Sequence, residues 1–194
     1  MDLQSAAADP AKSLPNLKAG FILAGIIFVA ELVWGVQKEL ARGLPHSESA
    51  GGYAAALSLV GAIVSTAFVL HCISSYHYVL SDVEGWSHPI TPRRAVRFHF
   101  IPIFNLYWDF KWPHEIAKFV NWRLQRHRMS GFLVGAWVLS GFSVGAFFDV
   151  SVGLVLILSA FAYLSRCLRD ALAAPGVPLE AQATNRLDAT TYPI

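Results

Sequence analysis

Charge is scarce in this sequence. Charged residues make up 14% of its 194 positions, against about 25% in ordinary soluble domains. A water-facing surface needs more, so a soluble globular fold is excluded first. Cysteine is nearly absent as well. Cys72 and Cys167 lie in or at the end of apolar runs, and such a pair supplies neither a disulfide framework nor a zinc site. They read as small packing residues. Also missing are a Gly-rich phosphate loop, a His–Glu–x–x–His helix and a nucleophile elbow, and His114–Glu115 lacks the rest of a metalloprotease motif. No enzyme is expected. No cleavable signal peptide is expected either, because the apolar run from Leu17 follows a polar, proline-containing lead and is long enough to span a bilayer.

What the chain does have is apolar length. Hydrophobic residues reach 55%, gathered into runs rather than spread through an amphipathic pattern. The composition predicts an all-α membrane protein of about four transmembrane helices plus an interfacial amphipathic helix. A cytoplasmic arm over 1–16 precedes a transmembrane domain over 17–170, with spans at about 17–36, 53–78, 131–148 and 150–166, and an extended tail follows over 171–194. Twenty residues at about 1.5 Å each cover a hydrocarbon core of roughly 30 Å. The run from Gly131 to Leu164 is too long for one crossing and holds Asp149 near its middle. A helical hairpin turning at Phe148–Ser151 is the economical solution; one long tilted helix that buries Asp149 is the alternative.

Residues 81–129 are expected to form a cytoplasmic loop. They hold eight basic residues (Arg93, Arg94, Arg97, Lys111, Lys118, Arg123, Arg126 and Arg128) and four acids. The first short loop has only Lys38 and Arg42, and the hairpin turn has none, so the long loop and both termini are expected on the cytoplasmic side. Within the loop, Phe98–Trp112 is aromatic, broken by Pro102 and too short to span, and reads as a re-entrant or interfacial segment. Pro113 suits the first turn of a further helix. In that helix Ile116, Phe119, Val120 and Leu124 recur at helical spacing, the pattern of a basic amphipathic helix lying on an anionic leaflet. Lipid head groups, not nucleic acid, are its expected partner.

Three constellations remain. Glu31, beside Trp34, and Asp149 are the two acids inside apolar runs; each reads as an interfacial acid or as a functional carboxylate. Small residues recur at four-residue spacing in Gly131–Gly135, Gly141–Gly145 and Gly61–Ser65, which allows close helix approach within the chain or toward another subunit. His71 and His77 are weak candidates for haem binding. Six residues apart on a helix, their rings diverge by about 120° and cannot share one metal. No resident cofactor or metal is predicted, though lipids or pigments fit the aromatic surface.

Thr91–Pro92–Arg93–Arg94–Ala95–Val96, followed by Phe100–Ile101–Pro102–Ile103–Phe104–Asn105–Leu106–Tyr107–Trp108, resembles a motif of uncharacterised bacterial multi-helix inner-membrane proteins. Those carry T-P-G-K-A-V and then F-I-P-F-F-N-L-Y-W between hydrophobic helices. Arg93–Arg94 stand here where that motif has Gly-Lys, and Ile103 replaces the first Phe of its pair. The resemblance covers about one-tenth of the chain and implies a bacterial cytoplasmic-membrane protein without implying a chemistry. Physically, Pro102 breaks a helix, Asn105 is placed to satisfy the freed backbone groups, and Arg93, Arg94, Arg97, Tyr107, Trp108 and Trp112 are expected at head-group depth. The expected function is a non-catalytic accessory or scaffold subunit of a larger bacterial membrane complex, respiratory or photosynthetic. A small transporter or channel, and a haem- or quinone-binding redox protein, are the alternatives.

Overall fold

The computed structural model describes residues 14–41 and 48–175, and among them the chain is helical throughout. The elements are α1 (Leu17–Ala41), α2 (Glu48–Ser81), α3 (Pro92–Arg97), a 3-10 turn (Phe98–Phe100), α4 (Phe104–Leu124), α5 (Gly131–Phe147) and α6 (Val150–Ala173). Three stretches are long and apolar enough to cross a membrane: Leu17–Gln37, Leu59–Ser81 and Val150–Ala173. α5 is as apolar but shorter, at 17 residues. α1, α2 and α6 outrun the expected spans, α5 ends one residue short of its own, and α6 extends into what was expected to be the tail. Most of the expected arm (1–16) and tail (171–194) lies outside the described residues.

The described chain forms two compact units. One is built on Asn16–Cys72 and Ala136–Ala162, the other on Ile73–Gly135 and the chain from Tyr163 onward.

In the first unit, α5 and α6 form an antiparallel hairpin. Asp149 stops one helix and starts the other: its carboxylate accepts the Val152 amide at 2.9 Å and the Ser151 hydroxyl, the work of an N-cap. The single long helix is therefore excluded. The two arms meet backbone to backbone. A methyl group on Gly153 would sit 2.5 Å from Gly145 Cα, and one on Gly141 would sit 2.9 Å from Gly153 O. α1 packs through Gly20, Ala24 and Ile27, with Ile27 reaching Gly61 on α2.

In the second unit, Thr91 caps α3 by accepting the Arg94 amide at 3.4 Å, and Pro92 occupies the first turn, where a missing N–H costs nothing. The chain then makes a γ-turn centred on Ile103 (φ 67°, ψ −47°), in which the Phe104 amide donates to Pro102 O at 2.7 Å. Here the structure corrects the expected non-helical segment. α4 restarts at Phe104, so Tyr107–Trp112 is helical and Pro113 sits mid-helix instead of in a first turn. Pro113 cannot donate to Asp109 O, and Gly135 of α5 closes on that carbonyl: a methyl there would lie 2.7 Å from it. Gly131 lies equally close to the His114 backbone. The apolar face of α4 (Ile116, Phe119 and Val120) is buried in protein and is not free to lie on a leaflet.

The loop into α5 is pinned by Asn121, whose Oδ1 accepts the Arg128 and Met129 amides at 2.7 and 2.9 Å while its Nδ2 donates to Met129 O at 2.9 Å. Arg123 donates to Ala171 O and Ala174 O at 3.3 and 3.2 Å at the end of α6, where Ala171 O also accepts the Ala174 amide at 3.3 Å.

Candidate functional site: a buried histidine–aspartate cluster

Polar side chains collect inside the second unit. His77 comes from the last turns of α2 and is fully buried. His88 comes from the loop after Gly85, whose φ of 77° turns the chain back. His99 comes from the 3-10 turn. Asp109, Trp112 and Glu115 recur every three residues along one side of α4, and all three are buried.

The hydrogen bonds fix the tautomers. Trp86 Nε1 can only donate, so its 3.4 Å contact makes His88 Nδ1 the acceptor. The neutral His88 ring then carries its proton on Nε2 and donates it to His77 Nδ1 at 2.6 Å. His77 in turn holds its proton on Nε2, a buried atom without a hydrogen-bond partner. The polarity therefore runs from Trp86 through His88 to His77 and ends on an unused donor beside the edge of Trp112, whose ring centroid is 6.2 Å away. His99 is oriented differently: its Nδ1 donates to Ala95 O at 2.8 Å, which turns Nε2 toward Asp109 Oδ1 at 3.4 Å. Asp109 is 1% exposed, and neither carboxylate oxygen has a hydrogen bond. A buried carboxylate without hydrogen bonds is costly, and His99 is the polar group that faces it.

Burial holds the His88 imidazole down at about 4, with the Glu115 carboxylate pulling the other way. Burial alone would raise the Glu115 carboxyl; its hydrogen bonds to Lys111 and Lys118, at 3.0 and 3.1 Å, hold it below its ordinary value. Chemically, the cluster can keep neutral imidazoles inside protein and present one N–H donor and one carboxylate. Among the described residues no three His, Cys, Asp or Glu side chains are grouped to hold a metal ion.

Of the residues singled out in the sequence, His71 is exposed and belongs to the other unit, while His77 finds His88. Arg93, Arg94, Arg97 and Tyr107 are exposed, whereas Trp108 and Trp112 are buried instead of facing head groups. Trp108 Nε1 donates to Ala95 O at 2.9 Å, so its polar tip is used inside. Pro102 is exposed, and the half-buried Asn105 has an Oδ1 without a partner. The break beside Pro102 is closed by backbone bonds, Asn105 N to Ile101 O at 3.0 Å among them, and not by the Asn105 side chain. All four glycines of the two expected pairs (Gly131, Gly135, Gly141 and Gly145) are spent on packing inside the chain. His88, His99 and Asp109 were not expected as a group. A lone acid inside the aromatic stretch Phe98–Trp112 was the available signal, since burying it demands a partner.

Glu31 and Asp149 come together in the first unit. Both acids line a cavity of about 510 Å³ with Glu39, Phe28, Leu32 and Val36, and Glu31 Oε2 is buried there without a hydrogen-bond partner.

No family model matches the chain, and no curated protein or solved structure matches it either.

Proposed function

We propose that this chain is an integral, non-catalytic accessory subunit of a bacterial cytoplasmic-membrane complex. In this reading it crosses four times, α5 serving as the short fourth span at about 25 Å, with both termini and the 81–129 segment cytoplasmic. One observation carries it. Only 17% of the membrane-length window of α1 is buried. Exposed Ile22, Ile26, Val29 and Val33 leave the helix apolar around most of its circumference, and Gly25 and Gly35 have nothing within 4 Å of a would-be side chain. In lipid, small residues on an open helix surface favour close approach by another helix. Native mass measurement after gentle detergent extraction tests it. Stoichiometric partner chains that are lost from a Gly25→Leu, Gly35→Leu variant are expected, and a lone small oligomer overturns the reading.

The cavity lined by Glu31, Glu39 and Asp149 favours a second reading, a small cation transporter. Cation uptake into vesicles holding the purified chain, abolished by Glu31→Gln, would support it.

A further inference from the structure

The turn between α3 and α4 presents a surface that the packing of its unit does not use. Phe100, Ile101, Ile103, Leu106 and Tyr107 are exposed, Ile103 to 88%. So many apolar side chains on one short turn need a cover other than water. The turn is held rigidly. Phe98 meets Trp108 edge-on at 4.7 Å, Phe104 stacks on Trp108 at 5.9 Å, and the Trp108 indole is tied to Ala95 O. Ile103 is fixed with a positive φ that a β-branched residue avoids unless its surroundings impose it.

Charge says what covers it. Arg93, Arg94 and Arg97 are exposed on α3 immediately before the turn, and no Asp or Glu occurs between Gly85 and Trp108. None of the three arginines is ion-paired among the described residues. Three free guanidiniums next to an apolar, Tyr-bearing tip complement a layer of phosphates above hydrocarbon, because each guanidinium offers a bidentate fork to phosphate. The same unit places the surface near where a membrane helix begins: Asp109–His114 of α4 lie against Gly131 and Gly135 at the start of α5, and Phe110 stacks on Phe132 at 5.3 Å.

We propose that the Phe100–Tyr107 turn inserts into the head-group layer of an anionic leaflet and that Arg93, Arg94 and Arg97 bind the phosphates of anionic phospholipid there. The inference rests on the chain being a membrane protein and is independent of the subunit reading.

The test uses the purified full chain in nanodiscs, where no partner protein is present. Cys72 and Cys167 are both fully buried, so a thiol-reactive, polarity-sensitive dye reports on an introduced Ile103→Cys. Leu106→Cys serves as a second reporter should the first variant fold poorly, and Ser87→Cys, on an exposed residue, as the water-facing control. In discs containing phosphatidylglycerol, blue-shifted emission quenched by acyl-brominated lipid is expected at 103 and 106 but not at 87. Native mass spectra should show retained phosphatidylglycerol, falling by up to about fivefold for each Arg→Gln change at 93, 94 and 97. Water-like, unquenched emission at both reporters overturns the proposal and returns the turn to a protein partner. Equal quenching in phosphatidylcholine alone, with retention unchanged by the arginine substitutions, overturns the anionic site.

Discussion

His88 Nε2 lies 2.6 Å from His77 Nδ1, and burial holds the His88 ring at about 4 against an ordinary 6.5. A histidine lowered in this way binds fewer protons folded than unfolded. Its contribution to stability is complete above about 6.5 and is lost as pH falls from there toward about 4. The Glu115 carboxyl, held below its ordinary value of 4.5, gives a stability that is full above that value and is lost only as pH falls through it, at the acid end of the window and below the interval from pH 7 to pH 5. The melting midpoint in detergent should therefore fall between pH 7 and pH 5, and His88→Gln should flatten that fall even if it lowers the midpoint at every pH. A midpoint with the same slope in wild type and variant would place the pH dependence elsewhere. Asn105 offers a contrast. Its side chain is half-buried, yet Oδ1 closes no hydrogen bond.

At the scale of elements, the helices are held by backbone approach more than by side-chain interlock. Gly131→Ala and Gly135→Ala force a methyl onto the α4 backbone, and Gly153→Ala forces one against Gly145 Cα. Each should lower stability by about 1–3 kcal/mol. Gly25→Ala meets nothing within 4 Å and should be neutral or gain up to about 1 kcal/mol from helix propensity. Thermal melts in one detergent compare the four directly, and equal costs at 25 and 135 would refute this account of the packing. The long apolar helices are legible in the sequence because their runs are unbroken, and the turn at Asp149 because a cap residue interrupts a run too long for one crossing. α4 is legible only in its second half, after Pro113. Pro102 reads locally as a break and Pro113 as a helix start, yet a γ-turn lets the helix begin at Phe104, and the approach of Gly135 covers the carbonyl that Pro113 frees mid-helix. The histidine cluster is hidden for a different reason: His77, His88 and His99 stand eleven residues apart, but on a helix end, a loop and a 3-10 turn, so the spacing marks no common helix face and folding alone brings them together.

For the whole molecule, the basic residues between α2 and α5 predict a sidedness that thiol labelling can read. Phe148→Cys, in the exposed turn between α5 and α6, should react with a membrane-impermeant reagent in intact cells. Ser87→Cys should react only after permeabilisation. The reverse pattern would invert the proposed orientation, and reaction of both in intact cells would break the even span count.

The two-residue turn at Phe148–Asp149 also bears on how the protein is made. α5 is short for a span by itself, and its inner face is shaped to α6 at Gly141, Gly145 and Gly153. No basic residue in the turn resists passage through the bilayer. If α5 crosses as proposed, it should therefore wait at the insertion machinery until α6 emerges, and the two should enter together as a pair.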